Sequence, residues 1–397
     1  MIYSFRKYWI LYIKIFLLLP IILLFFIVRI FKDFRINKIP SHSLGEMCTA
    51  IEIYICEKKL NPKTPAVIWF MGKLVANKFL EKKWSEKILI FPRHILEPIY
   101  FFFESFKMFN FFLCSYDTDS DEVKRTLKDR LKRLDDNNVL LKYGPSINFN
   151  STENEEGESY LRKMKLENKK FFVFSSRTAG YKNEKFETPR NSNIYNKIKG
   201  LKFITSKGYK AIRLGKNETK KIYFNDSNII DYAMSSDRRD FLDVYLVSKS
   251  KFMISSQHGV NELAVIFRKP RLVVDCYDIS ALEFSHLKLM IIPKKFKNLN
   301  SGKIINFEEA FKKKLNCIHI KSKVNGLGYE WIDNNELEIK HATENFYNLL
   351  INNLNLDEIL QKQKNYWQNI EKYFGFKNKN KIVICPYFYS NNKDIFE

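Results

Sequence analysis

The regular alternation of short apolar segments and helical segments after residue 170 constrains the fold of this chain more than any other sequence feature. Segments with the apolar character of buried strands occur at residues 171–175, 210–214, 228–231, 252–255 and 272–275. Helical patterns lie between them, at residues 193–207, 239–248 and 261–267. This alternation predicts a parallel sheet covered by helices on both faces. Ligands of such sheets bind at the carboxyl ends of the strands, so functional residues are expected there.

The preceding part of the chain shows a weaker form of the same pattern. Strands are predicted at residues 66–70 and 88–91, and helices from residue 50 and over residues 121–134. An aromatic stretch at residues 95–114, with seven Phe, predicts either a packed helix or a second membrane contact. The polar, acidic run 151–158 predicts a linker. The chain is therefore divided into an N-terminal segment at 1–38 and two α/β lobes at 39–150 and 151–397.

The N-terminal segment has the composition of a membrane helix. Residues 8–28 are apolar except for Lys14, and a spanning helix needs roughly 20 apolar residues, a length that is reached if Lys14 extends to the interface. No small-residue cleavage site follows, which argues against a removable signal peptide. Four basic residues follow the segment and two precede it, so the positive-inside rule places the rest of the chain in the cytoplasm. Pro20 and the short apolar core leave a re-entrant or monotopic hairpin as the alternative.

The charge balance restricts the partners of the chain. Lys and Arg outnumber Asp and Glu by 67 to 44, a formal net charge of +23. Nucleic acid, an anionic membrane or an anionic substrate would each match this surplus. The basic residues are spread along the chain and no RNA-recognition, zinc-finger or basic-zipper pattern is present, which argues against nucleic acid. The six cysteines occur singly, without a C-x-x-C pair, as expected for reduced thiols in the cytosol.

The turn after the strand at 252–255 is the strongest candidate for a binding site. A strand runs into a small polar turn with Gly259, and a helix begins at once, so backbone N–H groups and the positive helix end would attract an anion. Gly259 lets a phosphate approach the backbone, and Glu262 is placed to accept hydrogen bonds from ribose hydroxyls. The alternative is that the serines cap the helix. The candidate donor-binding residues of this turn are Ser255, Ser256, His258, Gly259, Asn261 and Glu262.

Two arginines stand near the end of the first strand of the second lobe. Arg177 follows the strand directly, and Arg190 lies in the loop before the next helix, together with Asn191 and Ser192. Guanidinium groups suit a diphosphate, because they stay charged and bind pairs of oxygens. The alternatives are a surface ion pair for the arginines and helix capping by Ser192 or Asn193.

Two further strand ends supply candidates. Arg213 and Gly215 follow the strand at 210–214, and Asp231 and Tyr232 end the next one. His258 is the histidine that lies in a strand-end loop, and the sequence contains no H-E-x-x-H, G-x-S-x-G or Walker A pattern. The sequence therefore predicts no metal and no cofactor beyond the substrate itself.

These segments resemble a bacterial family of predicted glycosyltransferases. The family's Y-R-N-S-D-I, V-I-R-M-G, D-Y-A, D-F-L-D-x-Y-L and I-S-x-x-S-G motifs correspond to residues 189–194, 211–215, 231–233, 240–246 and 254–259, and a K-P turn follows at 269–270. In the first lobe, residues 44–47 and 52–54 are similar to the family's I-G-H-L-A…E-L-Y. The resemblance covers most of the chain after the N-terminal segment.

The resemblance implies the GT-B arrangement of two Rossmann-like lobes, with the acceptor on the side of the first lobe and a nucleotide sugar held mainly by the second. It also implies metal-independent catalysis, in which Arg177 stabilises the leaving diphosphate. The chain departs from the family at Thr178 and Asn193, where the family has acidic residues, and at Glu46, where it has histidine. Glu46, with Gly45, is the predicted acceptor-side residue and the candidate general base.

The predicted function is transfer of a sugar from a nucleotide-diphosphate donor to a cell-surface glycan or a lipid-linked acceptor, at the cytoplasmic face of the inner membrane. The alternative is a catalytically inactive sugar-nucleotide-binding or scaffold subunit of a polysaccharide assembly complex, to which the changes at Thr178 and Asn193 point. A basic membrane- or nucleic-acid-binding protein would leave the strand-end motifs unexplained.

Overall fold

The computed structural model describes residues 16–113, 135, 138–168, 170–178, 187–216, 218, 221–278, 288–352, 355–375, 377–378 and 381–396. The chain forms two compact units, Met1–Arg125 and Thr126–Glu397, whereas the sequence analysis placed the division at residues 150 and 151. The helix predicted at 121–134 lies outside the described residues.

The N-terminal unit is a small α/β unit with a parallel sheet. Its three strands have the order β1-β2-β3, and β1 pairs with β2 in parallel register from Phe34 opposite Ala66. The strands predicted at 66–70 and 88–91 are present as β2 and β3. Its elements in chain order are α1 (Leu19–Phe31), β1 (Phe34–Ile39), α2 (Leu44–Leu60), β2 (Ala66–Met71), α3 (Lys78–Ser85), β3 (Leu89–Ile90), α4 (Arg93–Ser105) and a 3₁₀ turn (Lys107–Phe112).

The segment assigned to a membrane helix contains part of this sheet. Strand β1 lies almost wholly within residues 1–38, and its apolar side chains Phe34, Ile36 and Ile39 are buried. The prediction that residues 1–38 are separate from the fold is therefore wrong. Residues 8–15 of the predicted span lie outside the described residues. From residue 16 onward, no helix in the described ranges is long and apolar enough to cross a membrane.

From residue 95 to 113, most of the aromatic stretch packs into the core, as the packed-helix interpretation predicted, while Met108 and Phe111 are exposed. The rings of Phe103 and Phe112 stack with centroids 4.3 Å apart, and Phe26 of α1 meets Phe112 edge-on at 4.9 Å. Stacked and edge-to-face pairs of this kind add to the free energy gained from burial alone. The aromatic residues therefore hold α1, α4 and the 3₁₀ turn to one another.

The C-terminal unit contains a seven-stranded sheet, and all of its strand pairs are parallel. The predicted α/β class with a parallel sheet is confirmed. Three further strands form a small antiparallel sheet of order β11-β10-β12. The strands are β4 (Phe171–Ser175), β5 (Lys210–Arg213), β6 (Ile229–Ile230), β7 (Met253–Ser255), β8 (Arg271–Cys276), β9 (Leu289–Pro293), β10 (Lys295–Asn298), β11 (Ile304–Ile305), β12 (Tyr329–Ile332) and β13 (Val383–Ile384).

Helices cover this sheet, and two 3₁₀ turns follow β4 and β6 at Ile194–Lys197 and Tyr232–Met234. The central strands are buried along their whole length and are mostly apolar, as expected for strands covered on both faces. Phe172 and Phe252 stack with centroids 4.9 Å apart in the core. The helices are α5 (Val139–Lys142), α6 (Ser151–Lys163), α7 (Ile198–Ser206), α8 (Asp240–Lys249), α9 (Asn261–Ile266), α10 (Phe307–Lys312), α11 (Lys321–Gly326), α12 (Glu336–Ile351), α13 (Leu356–Lys362), α14 (Lys364–Phe374), α15 (Pro386–Asn391) and α16 (Lys393–Phe396).

The run predicted to be a linker, 151–158, is the first part of helix α6. Asn150 and Glu153 form a capping box, in which each side chain bonds the backbone N–H of the other residue. The acidic residues near the start of α6 suit the positive helix end. A polar helix with an acidic first turn has the composition of a linker, which is why the prediction was wrong.

The strand order defines where the sheet can bind a ligand. The order is β13-β9-β8-β7-β4-β5-β6. From β4 the chain proceeds outward to β5 and β6, then returns to the other side of β4 with β7 and proceeds outward to β8 and β9. Neighbouring strands whose connections leave in opposite directions form a switch point, where a crevice opens at their carboxyl ends. The strand order therefore predicts such a crevice at the carboxyl ends of β4 and β7.

Candidate anion-binding site

Two hydrogen bonds join the chain segments that leave β4 and β7. The Ser175 hydroxyl lies 2.8 Å from Nε2 of His258. The Arg177 N–H donates to the Ser256 hydroxyl at 3.0 Å. Both serines are fully buried. These contacts hold Arg177 and His258 at the switch point, where the sequence analysis expected the ligand.

Lys197, at the end of the 3₁₀ turn Ile194–Lys197, is a cation that the sequence analysis missed. Its side chain is fully buried, and its ammonium group donates to the hydroxyls of Ser176 at 2.6 Å and Ser192 at 2.7 Å. Burial lowers the pKa of Lys197 to about 8, although the nearby carboxylates of Asp275 and Asp333 favour its charged form. No local signal distinguishes this lysine from the many others in helical segments.

Asp275, which the sequence analysis placed at a strand end without a role, anchors this arrangement. Its carboxylate accepts from the Ser192 hydroxyl at 2.5 Å and from the Asn334 N–H at 2.7 Å. Its own N–H donates to the Asn334 side chain at 2.7 Å. Asp275 has φ of 51°, at an irregularity of strand β8. Backbone conformations of this kind persist where surrounding contacts hold them, and here the hydrogen bonds to Ser192 and Asn334 supply such contacts.

The pKa of His258 is lowered in part by the positive charges around it. Burial, together with the positive charges of Arg177, Lys197 and Arg190, lowers the pKa of His258 to about 3. His258 is therefore neutral at physiological pH and serves as a hydrogen-bond partner. The joint contact of Arg177 and Arg190 with a diphosphate stays a prediction. Three cations near one buried neutral histidine make a site that favours an anion.

The loop before the 3₁₀ turn Ile194–Lys197 contains a hydrogen-bond acceptor, the side-chain oxygen of Asn191. The Asn191 carbonyl accepts from the ammonium group of Lys294 at 2.9 Å. The side-chain oxygen of Asn191 is buried and has no hydrogen-bond partner among the described residues. Buried polar atoms nearly always have a partner, so this oxygen is a candidate to bind a hydroxyl or amino group of a ligand.

The turn from Ser255 to Glu262 serves a different purpose from helix capping. The Ser255 hydroxyl donates to the Asn261 side chain at 3.2 Å, and no side chain caps α9. Gln257 accepts from the N–H groups of Tyr277 and Asp278, which ties the loop after β7 to the end of β8. The capping alternative is therefore not found, and the turn's polar side chains join strand ends. Helix α9 itself has six residues, Asn261–Ile266.

Glu262 belongs to a different electrostatic environment from His258. Burial raises the pKa of Glu262 to about 7, opposed by the positive charge of the fully buried Arg271. The Asn261 side chain donates to one carboxyl oxygen at 3.2 Å, and the other is buried without a hydrogen-bond partner in the described ranges. The ribose contact assigned to Glu262, like the phosphate contact assigned to Gly259, stays a prediction.

The structure gives four other predicted donor-binding residues partners within the protein. The Arg213 guanidinium contacts Asp231 at 3.0 Å and Glu218 at 2.5 Å, and all three side chains are buried. Gly215 provides room for Glu218, because a Cβ there would lie 2.7 Å from that side chain. The buried Tyr232 exchanges hydrogen bonds with the backbone of Arg239. A strand-end arginine looks the same in sequence whether its partner is a ligand or an internal carboxylate.

Glu46 and Gly45 lie in the N-terminal unit, in the first turn of α2. Gly45 is buried, and its carbonyl accepts from the Thr49 hydroxyl at 3.3 Å. Their acceptor-side roles stay predictions. Within the described ranges of both units, no group of three or more His, Cys, Asp or Glu side chains could hold a metal ion.

Comparison with known proteins gives structural likenesses without a sequence match. No protein-family model and no curated protein matches the chain. The ADP-heptose LPS heptosyltransferase II of E. coli is similar at 11% identity and a TM-score of 0.40, over 65% of this chain and 90% of that one. The family 9 glycosyl transferase of Veillonella parvula is similar at 10% identity and a TM-score of 0.37, over 61% of this chain and 80% of that one. The E. coli heptosyltransferase WaaC is similar at 11% and 0.31, over 62% and 88%. Values this low do not transfer an activity to this chain.

Proposed function

We propose that this chain is a glycosyltransferase whose C-terminal unit binds a nucleotide-diphosphate sugar by its diphosphate. The observation that carries the proposal is the clustering of Arg177, His258 and the buried Lys197 at the β4–β7 switch point, where hydrogen bonds through Ser175, Ser176 and Ser256 hold them. The charge of Arg190 also acts on His258. The sugar would be transferred to a cell-surface glycan or a lipid-linked acceptor, as the motif resemblance implies.

The burial of the cations favours a small phosphorylated ligand over a polymer. Arg177 is 7% exposed and Lys197 is fully buried, so the backbone of a nucleic acid duplex could not reach them. A diphosphate could enter such a crevice and accept bidentate hydrogen bonds from the guanidinium groups. Its negative charge would also offset the unfavourable burial of the Lys197 ammonium, which is expressed in the lowered pKa of that residue.

The reaction would use the same groups. As the bond between the sugar's anomeric carbon and the diphosphate oxygen breaks, negative charge develops on the leaving diphosphate. Preorganised cations in a site shielded from water stabilise that charge. Arg177 is the candidate catalytic residue for this step, and Glu46 is the candidate base for the proton of the acceptor hydroxyl.

One departure from the family motif has a structural explanation. Asn193, which replaces the family's aspartate, accepts from the Tyr195 N–H at 3.0 Å and caps the 3₁₀ turn. Asn and Asp cap equally well, so this change does not by itself indicate a lost activity. The alternative, a catalytically inactive binding subunit, is therefore one of the two results that the activity assay below can give.

Titration of UDP, GDP, ADP and CDP into the purified protein tests the proposal. We expect binding of at least one nucleotide, weakened by about 1.5–3 kcal/mol, or about 10- to 150-fold, in Arg177→Ala and Arg190→Ala. Arg162→Ala, at an exposed position of α6, is the matched control and should bind like wild type. Wild-type affinity in both variants would contradict the site. Release of nucleotide from the matching sugar donor, with and without acceptor extract, then separates a transferase from a binding subunit.

A further inference from the structure

Helix α1 of the N-terminal unit has an apolar outer side. Its residues from Leu19 to Val28 include no polar side chain. The inner side, at Ile22 and Phe26, packs on the core of the unit. On the outer side, a stripe at positions i, i+1, i+4, i+7 and i+8 is 52–83% exposed and consists of Leu23, Leu24, Ile27, Ile30 and Phe31. Monomeric proteins rarely expose contiguous apolar patches larger than a few hundred Å², so this stripe indicates a partner.

The neighbouring 3₁₀ turn contributes to the same region. The Arg29 guanidinium lies 4.8 Å from the ring centroid of Phe111 and 5.2 Å from that of Phe112. This contact places the turn beside the C-terminal end of α1. In the turn, Met108 is 72% exposed and Phe111 is 43% exposed. We call the outer stripe of α1 together with Met108 and Phe111 the apolar face.

We propose that the apolar face binds the surface of an anionic lipid bilayer, with α1 lying in the plane of that surface. Helices of this type insert their apolar side into the boundary between headgroups and acyl chains, and basic residues strengthen the attachment. The inner side of α1 is occupied by the unit's own core, so lipid can reach only the outer side. This arrangement differs from the spanning helix that the sequence suggested and from the re-entrant or monotopic hairpin that was its alternative, because α1 is one continuous helix.

The charges around the apolar face favour anionic lipid over a second copy of the chain. From residue 16 to 38 the chain carries four Lys or Arg and a single acidic residue, Asp33. Lys32 is exposed at the end of α1. Basic residues near a membrane are attracted to the negative potential of its lipids. A symmetric contact between two copies would instead bring two basic segments together, which is unfavourable.

Co-sedimentation of the full chain with lipid vesicles tests the proposal. We expect binding to vesicles of phosphatidylcholine with phosphatidylglycerol, and binding at least about tenfold weaker to phosphatidylcholine alone. The triple variant Leu23→Ser, Ile27→Ser, Ile30→Ser should lose at least about tenfold of the wild-type partition into anionic vesicles. The matched control carries Leu327→Ser, Leu337→Ser and Ile351→Ser, at positions of the C-terminal unit that are 55–56% exposed, and should bind like wild type.

Three results would overturn the proposal. Wild-type protein could fail to bind anionic vesicles, could bind neutral vesicles equally well, or could be matched in binding by the α1 triple variant. Light scattering after size-exclusion chromatography can give a fourth contrary result. If the wild-type protein is a dimer and the α1 triple variant is a monomer, a second copy covers the apolar face. Circular dichroism of both variants checks that the substitutions leave the fold intact, as expected for exposed positions. Lys32→Glu gives an independent readout, because it alters the charge and leaves the apolar face unchanged.

Discussion

Replacement of Lys197 by Met separates a ligand-binding role from a structural one. The variant keeps most of the length of the side chain and removes its charge. The pKa of Lys197 is lowered from 10.5 to about 8, which corresponds to a penalty of about 3 kcal/mol for the charged form in the folded state, at about 1.4 kcal/mol for each pKa unit. The side chain is fully buried, so solvent screening does not reduce this value.

The stability of the variant can be worked out from these contacts. Lys197→Met removes the penalty and also the hydrogen bonds to Ser176 and Ser192, each of which contributes about 1 kcal/mol. The expected change in the free energy of unfolding at neutral pH is therefore small, within about 2 kcal/mol. A lysine that is retained only as the partner of a buried carboxylate would instead cost about 3–5 kcal/mol on removal.

The pH dependence supplies an independent readout. Below pH 8 the lysine is charged in both folded and unfolded chains, and the full penalty applies. Between about pH 8 and 10.5 the unfolded chain keeps a proton that the folded protein has released, so this group makes stability rise with pH. In Lys197→Met the free energy of unfolding should lack this contribution to the rise with pH. Urea unfolding measured on both sides of pH 8 checks this.

Nucleotide affinity decides the role of the lysine. We expect Lys197→Met to weaken nucleoside diphosphate binding by about 1.5–3 kcal/mol at neutral pH. Wild-type affinity should fall as pH rises through 8, because the lysine must then be protonated again to bind, and the variant should lack this fall. Lys199→Met, which removes an exposed cation paired with Glu336, is the control. A loss of about 3 kcal/mol or more in stability with unchanged affinity would refute the reasoning.

Three other perturbations test the rest of the structure. Arg213→Met should destabilise the protein by about 3–5 kcal/mol, because it leaves Asp231 and Glu218 buried without their cation; a large loss of nucleotide affinity in protein that remains folded would return Arg213 to the site. In the wild-type protein, the free energy of unfolding should fall as pH rises from 4.5 to about 7, because the folded protein holds a proton on Glu262 that the unfolded chain has lost. Glu262→Gln should lack this fall, and a pH profile like that of the wild type would contradict the buried environment. Deletion of residues 1–38 should unfold the N-terminal unit, since it removes all but the last residue of strand β1, and a protease-resistant truncated protein would contradict this.

The sequence by itself determined the local elements of the C-terminal unit. The strands predicted at 171–175, 210–214, 252–255 and 272–275 are present within one residue at each end, because an apolar run bounded by turn residues is a local property. The same property placed Arg177 directly after a strand, and the alternation with helices then required a parallel sheet. These inferences depend only on neighbours in the chain.

Only the tertiary structure decided which charges meet. Ser175 and His258 are 83 positions apart and come together because β7 pairs beside β4. The same packing buries Lys197 near the site and pairs Arg213 with Asp231 and Glu218. A lysine or arginine has the same local pattern whether its partner is water, a carboxylate or a ligand, and its role depends on burial and on charges brought close by distant segments. For that reason the sequence located the edge of the sheet at which we propose binding, while the residues that define the proposed site required the fold.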